Sequence, residues 1–167
     1  MDFRFTEADE AWRREVREFF QREITDELLE RLEREQKCTN PHSQELYLKM
    51  AAKGWLGLSW PKQYGGEERS YFEQAIFAEE CTRGRVPSGT VNVIGNTVHF
   101  LGGGLIAYGT EAQKKLFMPK IASGELRSCQ GLSEPNAGSD LASVELRAVE
   151  DGDEGTGRGQ RTRSRTT

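Results

Sequence analysis

The sequence GLSEPNAGSDLAS, at residues 131–143, divides this chain into two parts of different character. Upstream of it, apolar residues recur mostly at helical spacing, whereas residues 141–149 (LASVELRAV) alternate apolar and polar side chains, which is typical of a strand. Residues 126–133 (LRSCQGLS) alternate in part and predict a second strand. We therefore predict a mainly α fold, with a helical domain over residues 1–125 and the beginning of a β domain over residues 126–154.

The dividing segment is also the most specific candidate for a binding site. A strand that enters a Pro-Asn-x-Gly-Ser turn can leave backbone N–H groups pointing outward, next to the hydroxyls of Ser133 and Ser139, and such donors suit an anionic or acceptor-rich ligand. The alternative is an ordinary turn in which Asn136 and Asp140 cap the local backbone. Glu134 could act as a base, but we interpret it as a carboxylate that holds the turn.

About five helices are predicted upstream, with the segment from Asp26 continuing in helical register after the first, and each segment begins at a capping or first-turn residue before an apolar pattern. Their starting residues are Thr6, Asp26, Gln44, Ser70, Ser88 and Thr110. The first helix carries its apolar side chains in one stripe, which indicates packing against a core rather than a cofactor. That stripe consists of Trp12, Val16, Phe19 and Phe20, with Ile24 as a further member.

Two glycine-rich stretches interrupt this pattern. Residues 54–66 (GWLGLSWPKQYGG) combine four glycines with large aromatic residues, and we predict an ordered, buried loop there. Residues 102–104 are three consecutive glycines inside the helix predicted from Ser88 through Ile106, where each glycine costs about 1 kcal/mol relative to alanine. A close contact with another element, or a break in the helix, is expected at these glycines.

Composition excludes several classes of protein. The longest uncharged stretch, residues 86–110, is interrupted by proline, asparagine and many glycines, so no membrane span is predicted, and the N-terminus does not resemble a signal peptide. The three cysteines, Cys38, Cys81 and Cys129, are widely separated and indicate reduced thiols, and neither His42 nor His99 has a ligand at metal-binding spacing. We expect a cytoplasmic protein without a metal site.

The last 13 residues differ from the rest of the chain. Residues 155–167 (GTGRGQRTRSRTT) contain four arginines and no apolar side chain, and these positive charges leave the first 154 residues with a net charge of −8 although the whole chain has −4. Such a segment has no apolar surface with which to offset its ordering entropy. We predict a disordered tail there.

Residues 133–140 (SEPNAGSD) resemble the signature of the acyl-CoA dehydrogenase family, in which Thr or Ser precedes Glu-Pro-x-Ala-Gly-Ser-Asp. The segments at residues 54–66, 108–125 and 141–153 also resemble segments of this family, in the family's order. The resemblance covers about residues 1–153 and implies the family's N-terminal helical domain followed by the first strands of its middle β-barrel domain.

This resemblance implies FAD as cofactor, an acyl-CoA thioester as substrate, an electron-transfer flavoprotein or equivalent as electron acceptor, and a homo- or hetero-oligomer. In the family a glutamate removes the α-proton and the β-hydride passes to the flavin. The residues that the resemblance assigns to FAD are Gln130, Gly131, Leu132, Ser133, Gly138 and Ser139. Leu132 and Ser133 would contact the pyrimidine edge, Gly138 and Ser139 would approach the pyrophosphate, and Ser139 would also face the acyl-CoA.

The sequence departs from the family after about residue 154. The family's following W-x-x-x-G-x-K pattern, the rest of its barrel and the C-terminal helical domain that supplies the catalytic glutamate are not recognisable, so no catalytic residue is assigned. Possible codons for residues 158–162 (RGQRT), read in another frame, encode Val-Val-Asn-Gly, which is similar to the family at this point. We hypothesise that the chain is truncated or frameshifted there.

Three functions therefore remain open. The chain is a fragment of an FAD-dependent acyl-CoA dehydrogenase that is inactive alone, or a noncatalytic subunit of a heteromeric acyl-CoA dehydrogenase. The third possibility is a module that binds nucleic acid through its arginine-rich tail. The third is disfavoured, because the tail has no aromatic residue for base stacking and the rest of the chain is acidic.

Overall fold

A computed structural model of the chain describes residues 4–151 and 154–158. The chain divides into two compact units, of which the first ends at Ser128 and the second begins at Cys129. The first unit is built from helices, and the second contains a short antiparallel sheet. The predicted mainly α fold is confirmed.

The helices of the first unit agree closely with the sequence pattern. Their bounds are α1 Glu7–Glu23, α2 Asp26–Gln36, α3 Gln44–Ala52, α4 Tyr71–Arg83, α5 Ser88–Ile94, α6 Gly103–Tyr108 and α7 Glu111–Ala122. Thr6, Ser70 and Thr110 each accept a hydrogen bond from the backbone N–H three residues ahead, and the side chain at that position bonds back to the cap. These capping boxes satisfy N–H groups that a helix end would otherwise leave without partners.

The core of the first unit is aromatic. The predicted stripe of α1 is buried, and Trp12, Phe19 and Phe20 pack edge-on against Trp55 from the glycine-rich loop, with ring centroids 4.8–6.4 Å apart. Phe77 of α4 closes the cluster, 5.7 Å from Trp55. The loop at residues 54–66 is thus ordered, as its composition predicts, and its first half is buried through Trp55 and Trp60, whereas Lys62, Gln63 and Gly65 are exposed.

The helix predicted from Ser88 through Ile106 is continuous but not uniformly α-helical. Residues 95–102 between α5 and α6 form a π-helix, a widened geometry that occurs mostly as short insertions within α-helices. A Cβ placed on Gly102 would overlap the indole ring of Trp60, whereas Gly103 and Gly104 face open space. Gly102 therefore provides the predicted close contact, and the three glycines do not break the helix.

The strand predicted over residues 126–133 is wrong. Residues 126–133 have no regular secondary structure, and the isolated bridge of Glu134 begins one residue after them. Leu126 donates its N–H to Lys120 O, and Ser128 donates its N–H to Thr97 Oγ1 at 2.9 Å. Because helical neighbours engage these backbone groups, they are not available for a strand ladder.

The sheet of the second unit lies later in the chain than predicted. Residues 141–143 form a short 3-10 turn, and the sheet pairs β1 (Arg147–Asp151) with β2 (Glu154–Arg158) in antiparallel register. The second strand occupies the beginning of the segment predicted as a disordered tail, where the glycines do not prevent backbone pairing. The rest of that predicted tail, residues 159–167, lies outside the described residues.

None of the helices in the described part of the chain is long and apolar enough to span a membrane.

Candidate functional site

The candidate site is built around a tight turn of four residues. Glu134 donates its N–H to Ala137 O at 2.9 Å, and Ala137 donates its N–H to Glu134 O at 3.1 Å. These two hydrogen bonds form an isolated antiparallel bridge. Ser133 precedes this bridge and Gly138 follows it. The two halves of the predicted site, Leu132–Ser133 and Gly138–Ser139, therefore flank the closed turn in the sequence.

The carboxylate of Glu134 holds the following segment of the chain. Its Oε2 accepts the backbone N–H of Glu145 at 2.9 Å, and its Oε1 accepts the N–H of Leu146 at 2.7 Å. Hydrogen bonds from N–H groups to a carboxylate are charge-assisted and stronger than neutral ones. Both oxygens are thus engaged by the protein itself, which agrees with the interpretation of Glu134 as a structural carboxylate.

Several donors of the turn have no partner among the described residues and could serve a ligand. Within the described part of the chain, the N–H groups of Leu132, Ser133, Gly138 and Ser139 and both serine hydroxyls make no hydrogen bond. All four residues are exposed, as are Gln130 and Gly131. A Cβ placed on Gly138 would meet no heavy atom within 4 Å, so a ligand can approach the backbone there. The arrangement can therefore offer N–H and O–H donors to an acceptor-rich group.

The side chains of Asn136 and Asp140 do not cap the turn. Neither makes a hydrogen bond among the described residues, and the contact at Asp140 involves its carbonyl oxygen, which accepts the Ser143 hydroxyl at 2.8 Å. The alternative of a turn capped by Asn136 and Asp140 therefore differs from the observed turn, in which Glu134 supplies the stabilising contacts. The Glu134 carboxylate binds backbone groups of Glu145 and Leu146, 11 and 12 residues away. No sequence motif predicts these two partners.

The connector that leads toward this segment is fixed on the helical unit by polar contacts that the sequence did not reveal. The Ser128 hydroxyl donates to Asn96 O at 3.1 Å, and Asn96 lies in the π-helix. A guanidinium nitrogen of Arg127 lies 3.3 Å from His42 Nε2. His42 is thus a contact of the connector.

The cysteines and the possible metal ligands are the remaining candidates for chemistry. Within the described residues no cluster of three His, Cys, Asp or Glu side chains could hold a metal ion, and Cys38, Cys81 and Cys129 are free thiols. Burial, together with the nearby carboxylate of Glu80, raises the pKa of the Cys81 thiol to about 12. Cys81 is therefore a neutral packing residue at physiological pH.

Comparison with known proteins identifies the helical unit. Residues 6–125 match the family model described as acyl-CoA dehydrogenase, N-terminal domain. Acyl-CoA dehydrogenase FadE26 of Mycobacterium tuberculosis is 39% identical over 166 residues, which cover 96% of this chain and 40% of the relative. Acyl-CoA dehydrogenase FadE29 of the same organism is 40% identical over 139 residues, 83% of this chain and 34% of the relative.

Known structures give the same result. The ChsE4–ChsE5 complex from Mycobacterium tuberculosis superposes with a TM-score of 0.79 at 37% identity, covering 96% of this chain and 39% of the matched chain. The Tcur3481–Tcur3483 steroid ACAD matches with a TM-score of 0.77 at 38% identity, over 95% of this chain and 40% of the other. The chain thus spans 34–40% of the length of these relatives.

Proposed function

Because the chain belongs to the acyl-CoA dehydrogenase family, we propose that it contributes an FAD-binding segment to the dehydrogenation of an acyl-CoA thioester. The observation that supports this proposal is the Glu134–Ala137 bridge, which closes a tight turn between Leu132–Ser133 and Gly138–Ser139 in the sequence. When bound, FAD would supply the hydride acceptor for the reaction. The chain's own contribution is to bind and orient the cofactor and one part of the substrate.

The free donors of the turn suit the cofactor. The Leu132 N–H and the Ser133 hydroxyl can donate to carbonyl oxygens and nitrogens of the flavin, and Gly138 and Ser139 can offer N–H groups to a pyrophosphate. Gly138 has open space where a side chain would stand, which permits the close approach that a diphosphate requires. Ser139 would in addition face the acyl-CoA.

The proton acceptor of the reaction has to come from elsewhere. Glu134 is the only carboxylate within residues 130–139, and its two oxygens accept backbone N–H groups of Glu145 and Leu146. Proton uptake by Glu134 would weaken both hydrogen bonds and loosen the turn. Glu134 is therefore proposed to hold the turn and not to accept the proton, and turnover would require a base from outside residues 130–139.

The test is FAD binding by the purified chain, followed by flavin fluorescence anisotropy. We expect Ser133→Ala and Ser139→Ala each to raise the Kd for FAD about tenfold, because each variant loses one hydrogen bond to a charged or strongly accepting group of the cofactor. Ser123→Ala is the matched control, because its hydroxyl donates to Lys120 O at the end of α7. Equal Kd values for the chain and both site variants, or no binding by the unmodified chain, would contradict the proposal.

A second candidate function is that of a noncatalytic subunit. It is supported by relatives that are two-component assemblies by name, the ChsE4–ChsE5 complex and the Tcur3481–Tcur3483 steroid ACAD. In that case the chain would associate with another acyl-CoA dehydrogenase chain. Co-expression with a full-length relative and size-exclusion chromatography test this function: one peak containing both chains supports it, and separate elution contradicts it.

A further inference from the structure

A groove between α7 and the loop at residues 62–65 differs in place and in chemistry from the donor-rich turn. Its volume is about 610 Å³, within the range of ligand pockets of proteins. The side chains that give it its chemistry are Tyr64, Glu111, Lys114, Lys115, Met118 and Ala122. The groove lies entirely in the first unit and uses none of residues 130–139. It is therefore separate from the segment proposed to bind FAD.

A glycine brings the loop against α7. Gly65 has a backbone φ of +81° and donates its N–H to Lys62 O at 3.0 Å, at the end of a 3-10 turn over Lys62–Tyr64. A Cβ placed on Gly65 would lie 2.9 Å from the Cβ of Ala122, closer than such atoms normally approach. Glycine permits both the left-handed backbone and this short distance. The loop and α7 therefore meet at this point of the groove.

The groove changes from charged to apolar along α7. Lys114, Met118 and Ala122 are spaced by four residues and therefore lie on one face of the helix. The other charged residues of the lining, Glu111 and Lys115, belong to the first half of α7. Met118 is 1% exposed, and none of the described residues of α7 that line the groove after Lys115 is charged. A ligand that lies along α7 would therefore meet ions at one end and apolar side chains at the other.

The ammonium group of Lys114 is enclosed, but its donors are only partly used. The Lys114 side chain is 14% exposed, and its Nζ lies 5.9 Å from the centroid of the Tyr64 ring. An ammonium carries three N–H donors, and within the described part of the chain its one hydrogen-bond acceptor is Glu111 Oε1 at 3.3 Å. The Glu111 side chain is 73% exposed, and such an exposed partner is weak. Lys114 therefore retains donors for a further anion.

The charges of the groove fit an occupant with a single negative charge. Lys115 is exposed and makes no ion pair or hydrogen bond among the residues that the structure describes. The charged residues of the lining are two lysines and one glutamate, so its net charge is +1 although the whole chain carries −4. One carboxylate would neutralise this charge, whereas the several phosphate charges of a CoA derivative would exceed it. The groove therefore favours a monoanion.

We propose that the groove between α7 and residues 62–65 is a binding site for a small amphipathic carboxylate. The carboxylate lies between Lys114 and Lys115 and accepts charge-assisted hydrogen bonds from both ammonium groups. The apolar body extends along α7 over Met118 and against the Tyr64 ring. Such an occupant engages the unused donors of Lys114 and removes apolar side chains from water.

The experiment is a fluorescence titration of the full chain, without FAD, with dansyl-undecanoic acid below its critical micelle concentration. We expect saturable one-site binding of this acid with a blue-shifted emission. The methyl ester of the same dye has no charge, and its Kd should be at least tenfold higher because it loses the ion pairs with the lysines. Equal Kd values for the acid and the ester, or no binding of the acid, would overturn the proposal.

Variants of α7 place the acid in this groove. Lys114→Met removes the ammonium group and keeps an unbranched side chain, so it should raise the Kd of the acid at least tenfold and leave that of the ester unchanged. Lys120→Met is the matched control, because Lys120 is an exposed residue of α7 that does not line the groove. Circular dichroism establishes that both variants are folded. Equal affinity of the unmodified chain and Lys114→Met for the acid, or an equal loss in both variants, would contradict the proposed site.

A second pair of variants keeps the test valid if Lys114→Met does not fold. Lys115→Glu reverses a charge in the groove and Lys120→Glu reverses one outside it, and both positions are exposed. Only Lys115→Glu should weaken binding of the acid. If the unmodified chain instead forms a dimer that excludes the dye and that Lys115→Glu dissociates, the groove is an interface between copies and the proposal is wrong.

Discussion

Arg17 donates two parallel hydrogen bonds to the buried carboxylate of Glu80, from Nε to Oε2 at 2.9 Å and from Nη2 to Oε1 at 2.7 Å. The Glu80 side chain is 1% exposed, and Arg13 Nη1 contacts the same carboxylate at 3.3 Å. These contacts join α1 to α4 on the edge of the aromatic core. A buried charge of this kind is tolerated only while its partners remain in place.

We expect Glu80→Ala to lower the free energy of unfolding by about 3 kcal/mol, because it leaves Arg13 with one partner fewer and a cavity beside α1. Urea denaturation followed by tryptophan fluorescence measures the change. Glu79→Ala is the control: Glu79 also contacts Arg13 but is 59% exposed, and exposed pairs contribute at most about 1 kcal/mol. Similar decreases in the free energy of unfolding of the two variants would show that burial of Glu80 does not determine its contribution to stability.

The same carboxylate should make stability depend on pH. The hydrogen bonds from Arg17 lower the pKa of Glu80 below its ordinary value. Its contribution is therefore complete above the unfolded-state pKa of about 4.3 and is lost as the pH falls through the lower folded-state pKa. As the pH is lowered from 7 to 3, the urea midpoint of unfolding should fall more steeply for the unmodified chain than for Glu80→Gln. Parallel curves would exclude Glu80 as the source.

Gly102 should not tolerate a side chain. A Cβ at this position overlaps the ring of Trp60, so Gly102→Ala should lower the free energy of unfolding by about 2 kcal/mol through overpacking. Gly103→Ala should instead raise it by up to about 1 kcal/mol, because its Cβ meets open space and alanine favours the helix. Urea denaturation of both variants decides the point, and stabilisation by Gly102→Ala would contradict the packing described.

The Glu134 carboxylate should protect two particular amides. Hydrogen exchange, read by NMR, should be at least tenfold faster for the N–H groups of Glu145 and Leu146 in Glu134→Ala, since these groups lose their acceptors. The midpoint of global unfolding should change little, because the turn lies outside the aromatic core. Asn136→Ala is the control and should leave both exchange rates unchanged. Unaltered exchange in Glu134→Ala would refute the role of this carboxylate.

Two of the three thiols, Cys81 and Cys129, should differ in reactivity. Cys129 is exposed, whereas Cys81 is partly buried and its pKa is raised to about 12. Iodoacetamide at pH 8 should therefore modify Cys129 in the native chain and leave Cys81 intact until denaturant is added. Peptide mass spectrometry distinguishes the sites, with Cys81→Ser as the control for assignment. Modification of Cys81 at the rate of Cys129 would contradict its burial.

Local sequence determined most of the helical architecture. Thr6, Ser70 and Thr110 could be identified as caps because their partners lie three residues ahead, and the buried stripe of α1 could be read from its spacing. The ordered loop around Trp55 followed from its glycine and aromatic content. The segment at residues 133–140 was recognisable because its motif is contiguous, and the pairing of Glu134 with Ala137 is compatible with such a short turn.

Tertiary structure decided the contacts whose partners are distant in sequence. Glu80 lies 63 residues from Arg17, so neither residue by itself distinguishes a buried ion pair from a solvated helix face. The predicted strand at residues 126–133 failed because Thr97 and Lys120 take the backbone N–H groups of Ser128 and Leu126. Capping and amphipathic spacing involve residues only a few positions apart, so both can be predicted from the local sequence. Competition for a hydrogen-bond partner depends on which distant groups folding brings within 3 Å.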